Sequence, residues 1–351
     1  FKVSKMKAHS EIMKQFNLVI LSSFILWTGC IVYEEEGIDV SGEPTAFILC
    51  EGNFGSNNAA LWSFAPDDST TETQIFGGTS LGDVAQSLTV GGNKLYVVVN
   101  NSHKIEILSV DDEISHEGTI SFTNASPRHL VTSGTTGYVS CWNLSAILVL
   151  DLENQAVIDT ISMPGMPEDL ILDGTSLYAS IPSNSDWSSS NSIVEISTSS
   201  KEIVQTYEVI SGPNNMVLIG SNLFVASTYY GANWATYTGI SKIDLSSGTV
   251  TTHTDGSNFI VIGNLVKAGE TLYRATSTGL APVNLDLSLN LDAIIGGQKN
   301  VYSAAADDAY LYFGTTDWAA PDTVYVTDHS GSPVNQFIVG TGPGDFVTVL
   351  D

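Results

Sequence analysis

One pattern of apolar and polar positions recurs along the chain. An apolar residue followed by an aromatic opens a short β-rich run, usually after a Gly turn. The phrases are Ala46-Phe47-Ile48-Leu49, Leu95-Tyr96-Val97-Val98, Gly137-Tyr138-Val139-Ser140, Leu177-Tyr178-Ala179-Ser180, Leu223-Phe224-Val225-Ala226, Leu272-Tyr273-Arg274-Ala275 and Leu311-Tyr312-Phe313-Gly314. The aromatics fall at 47, 96, 138, 178, 224, 273 and 312, with gaps of 49, 42, 40, 46, 49 and 39. Repeats of this length without helical periodicity predict the blades of a β-propeller.

One repeat reads through in full. Asp169 to Leu172 is a short apolar run, Asp173-Gly174 a turn, and Leu177 to Ile181 a second strand. Pro182 to Asn191 reads as a Ser/Asn loop. Ser192 to Ile196 alternates as a half-buried strand should, and Glu202 to Tyr207 is an outer strand. First strands tend to follow a Pro, as in Pro127-Arg128-His129-Leu130, Pro167-Glu168-Asp169-Leu170 and Pro213-Asn214-Asn215-Met216. The last such phrase, Pro343-Gly344-Asp345-Phe346-Val347, is a first strand with no second strand after it. The first repeat begins at Thr45 with a second strand and no first. The two ends complement each other. The expected fold is therefore all-β: a seven-bladed β-propeller over 45–351, closed by the C-terminal strand pairing into blade 1.

The N-terminal stretch lies outside this repeat. Met13-Lys14 precedes twelve mostly apolar residues, Phe16 to Trp27, too few to span a bilayer but suited to a signal-peptide h-region. The run ends in Trp27-Thr28-Gly29-Cys30, which resembles a bacterial lipobox although Trp27 stands where Leu is usual. The expectation is a signal peptide over 1–29, starting at Met13 with Met6 as the alternative start, and lipidation at Cys30. An ordinary signal peptide or a buried helix is the alternative. Residues 30–44, with Glu34-Glu35-Glu36, read as a flexible acidic tether, and equally as a surface-export signal. The implied localisation is the outer membrane, lipid-anchored, at the cell surface or on its periplasmic face.

Charge narrows the partners. The net charge is −26, and four of the twelve basic residues lie within the first fourteen positions. The rest are scattered singly, so no basic patch exists to neutralise phosphates, which argues against nucleic acid. Cys50 and Cys141 fall two blades apart, roughly 15 Å or more at about 4.8 Å per strand, so no disulfide is expected between them.

The phrases Leu95-Tyr96-Val97-Val98-Val99-Asn100 and Leu223-Phe224-Val225-Ala226 resemble the YVTN repeats of YncE-like propellers. Cys50-Glu51-Gly52-Asn53-Phe54-Gly55 and Leu81-Gly82-Asp83-Val84-Ala85-Gln86 are similar to segments of Bacteroidota surface lipoproteins carrying such propellers. The resemblance covers about residues 45–351 and its motifs are mainly structural. It implies a ligand-capture role. Some relatives bind cobalamin and sit over a TonB-dependent outer-membrane transporter, so a corrinoid and such a transporter are the partners it implies. It assigns no binding residue.

Loops between second and third strands share one propeller face with the entries into first strands. The former hold Asn53, Phe54, Asn100, Trp142, Asn143, Trp187, Tyr229, Tyr230, Trp234 and Trp318, so four of six Trp map to loops. Such residues either pack on neighbouring loops or contact a flat amphipathic ligand. The first-strand entries add Asp83, Gln86, Arg128, His129, Glu168, Asp169, Asn214, Asn215, Lys299, Asn300 and Asp345. Arg128 and His129 beside Glu168 and Asp169 read as an ion pair between blades, with acid–base chemistry as the sharper alternative. The six His show no ligand spacing, and no phosphate loop or nucleophile elbow occurs, so no metal, cofactor or catalytic residue is assigned. Three functions compete: a surface capture protein for a small nutrient, a lactonase- or lyase-type propeller enzyme, and an adhesive or structural protein.

Overall fold

A computed structural model describes residues 38–39, 45–66, 73–75, 81–111, 113–231, 234–257, 263–319 and 321–349. The expected signal peptide, Cys30 and most of the acidic stretch lie outside the described residues. Seven antiparallel sheets follow one another, each running from an inner to an outer strand. The seven repeated aromatics all lie on second strands, beginning with Phe47 in Thr45–Cys50 and ending with Tyr312 in Tyr310–Thr315. Blade 1 is closed as expected. The C-terminal strand Pro343–Val349 pairs with Thr45–Cys50, placing Thr45 opposite Val349 and Ile48 opposite Phe346.

Burial explains the composition of each strand. A middle strand is covered on both faces by neighbouring blades and is largely apolar, as in Ala146–Asp151, where the first five residues are all apolar and buried. The outer strand Glu202–Glu208 meets water and buries only Tyr207. The core is accordingly seven clusters, one in each gap between blades. Phe47, Leu49 and Leu61 of blade 1 pack on Leu88, Leu95 and Val97 of blade 2. Tyr312 and Val326 of blade 7 pack on Ile48 and Phe64 of blade 1 across the closing seam. Cys50 and Cys141 are buried and free, in blades 1 and 3.

Two expectations need correction. The loop read over Pro182 to Asn191 is much shorter, because the strands run on as Ser176–Asn184 and Ser189–Ser197. The blade 5 hairpin is longer in the same way: Tyr229 and Tyr230 lie on a paired strand rather than in a loop, with Tyr229 opposite Tyr237. Both hairpins rise above their blades because cross-strand pairing satisfies the backbone where polar composition alone suggests coil. Within the acidic stretch, Ile38–Asp39 forms a two-residue strand on the outer edge of blade 2, with Ile38 opposite Ile114.

Blade 6 is the thinnest. Its third and fourth strands are only Gly279–Pro282 and Ile295–Gly296.

Candidate functional site

Each innermost strand begins with a polar residue directly ahead of its first inward apolar one. In blade order these are Asp345, Ser87, His129, Asp169, Asn215, Asn264 and Ser303. Six of the seven bind the backbone of the next blade. Leu88 N donates to Asp345 Oδ2 at 2.8 Å, and Ser87 Oγ donates to Arg128 O at 2.7 Å. Met216 N donates to Asp169 Oδ2 at 2.7 Å, and Leu265 N donates to Asn215 Oδ1 at 2.7 Å. Asn264 Nδ2 donates to Ala304 O at 2.8 Å, and Ser303 Oγ donates to Pro343 O at 2.5 Å. Inner strands of neighbouring blades do not pair with each other, so these side chains satisfy backbone groups that otherwise go unmet at about 1–3 kcal/mol each.

His129 is the exception in this belt. Its ring nitrogens make no hydrogen bond to a described residue and instead lie 3.8 Å from Glu168 Oε1 and 3.8 Å from Asp169 Oδ1.

Above the belt, the mouth of the channel opens into a cavity of about 230 Å³. Gln86, His129, Glu168, Asn214, Asn215 and Asp345 line it, as the sequence suggested, together with Glu51, Asn264 and Tyr302. Tyr302 donates to Glu51 Oε1 at 2.7 Å across the seam from blade 7 to blade 1. Burial pushes the Glu51 and Asp345 carboxyls up to about 6. Burial also raises Asp169 and drives the Tyr302 phenol upward. Glu168 goes the other way. Burial would raise it, but the charge and hydrogen bonds of Arg128 outweigh that and hold it below the usual range.

Arg128 grips Glu168 through Nε–Oε2 at 2.8 Å and Nη2–Oε1 at 2.6 Å. Its guanidinium lies 4.2 Å above the Trp142 ring, and Trp142 meets Trp187 edge-on at 5.9 Å. This is the inter-blade ion pair expected from the sequence, now seen to carry an aromatic wall. Among the described residues the indole N–H of Trp142 makes no hydrogen bond within 3.5 Å, although Trp142 also helps to hold the Glu168 carboxyl low.

The remaining candidates divide into ties and displayed rings. Asn53 Nδ2 donates to Trp318 O at 3.1 Å, Asn100 Nδ2 to Pro127 O at 2.9 Å, and Asn143 Nδ2 to Asn124 Oδ1 at 3.0 Å. These three tie loops together. Asp83 does the same, accepting from Gly55 N at 2.9 Å. Lys299 and Asn300 do not line the cavity. Tyr229 stacks on Tyr237 at 5.2 Å, and Trp318 meets Tyr302 at 5.1 Å. Phe54, Trp187, Tyr230, Trp234 and Trp318 remain exposed at 81, 67, 63, 84 and 47%. Trp187, Trp234 and Trp318 also share a backbone state, with φ of 67°, 61° and 65°. A left-handed backbone costs a bulky residue on the order of 1–3 kcal/mol. Three large rings are thus held out toward solvent, on one face, in an unfavourable conformation.

Glu51, Asn264 and Tyr302 were not anticipated as mouth residues. Tyr302 occupies the position of Arg128 and Asn214, but Val301 stands where Pro127, Pro167, Pro213 and Pro343 mark four of the other entries. Asn264-Leu265 follows the same polar-then-apolar rule as Asp169-Leu170, Asn215-Met216 and Asp345-Phe346, which is the signal available for it.

No protein-family model matches the chain, and no curated protein matches its sequence. Solved structures do match its fold. A Lactobacillus plantarum protein aligns at 14% identity with a TM-score of 0.64, covering 88% of this chain and 100% of its own. A Bacteroides fragilis protein, whose name proposes a 6-phosphogluconolactonase, aligns at 14% identity and TM-score 0.62 over 88% and 99%. Virginiamycin B lyase from Staphylococcus aureus aligns at 14% identity and TM-score 0.53 over 76% and 91%. At these identities the likeness establishes the propeller architecture alone.

Proposed function

We propose that the aromatic-rimmed mouth binds a flat amphipathic small molecule, and that the chain is a lipid-anchored surface protein capturing this ligand for a transporter. The observation that carries the reading is the display of Trp187, Trp234 and Trp318 in left-handed backbone around a polar mouth. Each ring has an edge-on aromatic neighbour, Trp142, Tyr230 and Tyr302 in turn, and a ligand covering the faces left exposed accounts for the strain that remains. The cavity below equals roughly eight water volumes at about 30 Å³ each. A ligand larger than this lies across the rim and sends only a side group down toward Glu51 and Asn264. A corrinoid suits that division, with its flat face on the Trp rings and a polar substituent in the mouth. The lipobox ending at Cys30 and the family resemblance support the anchor and a TonB-dependent partner.

The test is calorimetric titration with cobalamin, with a glycan series alongside. Saturable binding without turnover, lost at least about tenfold in Trp234→Ala and kept in Trp62→Phe, supports the rim. Equal effects from both variants, or no binding of either ligand class, overturn it. Mass measurement of the membrane-extracted protein, with and without Cys30→Ala, tests the anchor.

His129 supports a second reading. It is the one belt residue without a backbone partner, and it lies between two carboxylates. A general base held this way suits lactone opening or elimination, the chemistries named for two of the structural neighbours. That reading requires turnover of a lactone or cyclic ester and its loss in His129→Ala.

A further inference from the structure

A second cavity, of about 360 Å³, lies on the opposite face of the ring between blades 5 and 6. It owes its existence to the short outer strands of blade 6, which leave the flank of blade 5 uncovered. Its apolar wall is Ile219, Phe224, Leu272, Val283 and Leu287. The loop at its lip is pre-shaped. Asn284 N donates to Ser288 O at 2.8 Å, and Ser288 N donates to Asp286 Oδ1 at 3.1 Å. Leu287 is fixed in left-handed backbone at φ 69° with its side chain 2% exposed. Leu285, also lining the cavity, is fully exposed at 103%.

One cation enters this apolar space. Lys242 stands cross-strand from Phe224, on the same side of the blade, and lines the cavity half-buried. Among the described residues it has no ion pair within 4.0 Å and no hydrogen bond from its ammonium. Glu270 also lines the cavity but is exposed, so the more desolvated charge is the positive one. At the equivalent cross-strand position in blade 4, the likewise half-buried charge Glu195 is matched by Ser176 and Tyr207 at 2.7 and 3.1 Å. Lys242 has no such match. A half-buried ammonium against hydrocarbon is costly unless an anion completes it.

We propose that this cavity is a second binding site, for a small amphipathic carboxylate whose tail covers Phe224 and Leu287 and whose head pairs with Lys242. The space equals about a dozen water volumes at roughly 30 Å³ each, so the ligand has on the order of ten non-hydrogen atoms. A medium-chain fatty acid or an arylalkanoic acid has this size and chemistry. The site is independent of the aromatic mouth, which lies on the other face.

The test is titration of the whole protein with octanoate, 1-octanol and octylamine, followed by calorimetry. Octanoate is expected to bind with a Kd below about 1 mM, at least tenfold tighter than the alcohol or the amine. Lys242→Met should lose at least tenfold for octanoate while its melting temperature is kept or raised. Lys242→Arg should retain binding, and Trp234→Ala should leave it unchanged. Absence of octanoate binding, equal binding of the amine, or undiminished binding in Lys242→Met overturns the proposal. A Trp234→Ala variant that also loses octanoate places the ligand at the mouth and overturns it too.

Discussion

Arg128 and Glu168 face each other across the seam between blades 3 and 4, joined by two hydrogen bonds of 2.8 and 2.6 Å, with the guanidinium over the Trp142 ring. Their side chains are only 16% and 10% exposed. Arg128→Ala leaves a carboxylate stranded at the channel mouth and should destabilise the protein by about 3–5 kcal/mol. The double variant Arg128→Met, Glu168→Leu should recover most of that loss, because the cost lies in the unpaired charge. Urea denaturation of the three proteins checks both expectations.

Glu51 and Asp345 give stability a definite slope with pH. Both carboxyls are raised by burial to about 6 in the folded chain. A raised acid binds more protons folded than unfolded, so its contribution is fully present below the unfolded value near 4. It is lost as pH rises through about 6. Glu168, held low by Arg128, contributes in the opposite sense and only at more acidic pH. Stability measured from pH 4.5 to 6.5 should therefore fall as these two groups ionise. Glu51→Gln keeps an acceptor for Tyr302 and should reduce the slope by up to about one proton. A slope unchanged in Glu51→Gln contradicts the assignment.

The left-handed tryptophans predict a trade of function for stability. Trp234→Gly removes a ring that is 84% exposed and relieves a φ of 61°. The change should stabilise the fold by up to about 1 kcal/mol while abolishing binding at the mouth. Trp187→Gly should gain less, since Trp187 is less exposed and sits closer to its edge-on neighbour Trp142, at 5.9 Å, than Trp234 does to Tyr230, at 6.3 Å. Paired melting and binding curves separate the two effects.

Removing the residues after Thr341 takes away the strand opposite Thr45–Cys50 and uncovers Ile48, Phe47 and the blade 7 seam. The truncated chain should lose its single cooperative melting transition. An unchanged transition by circular dichroism contradicts closure by the last strand.

Cys50 and Cys141 should resist thiol reagents in the native state. Burial pushes the Cys141 thiol up to about 12 and raises Cys50 as well. Both are expected to react only on unfolding, and as two separate thiols. Labelling in buffer and in denaturant, read by mass, checks this.

Blade number and closure were legible in the sequence because the Tyr or Phe of each second strand is flanked by residues buried on both faces of a blade. That demand repeats seven times, whatever the loops do. The limits of the hairpins were not legible. Ser183, Asn184 and Ser189 look like coil, yet they pair across a ladder that extends beyond the core. The mouth was legible in part. Arg128, His129, Glu168 and Asn215 follow a Pro-marked entry, whereas Tyr302 does not, and Glu51 comes to the mouth only through the seam that the two chain ends create. The left-handed backbone of Trp234 and Trp318 had no signal at all, since Trp is not a residue that composition places in that state.

Blade 1 also sets a timetable. Its second strand emerges before the other six blades and waits for Pro343–Val349, so Thr45 must meet a partner some three hundred residues later. Closing a loop of that length costs about 5 kcal/mol in chain entropy, against about 3 for the forty-residue span of a single repeat. The six other blades are self-contained and free to assemble in order as the chain appears. Blade 1 stays an open edge until Pro343–Val349 arrives, which makes the interval before its completion the period when the nascent protein has most to gain from a chaperone.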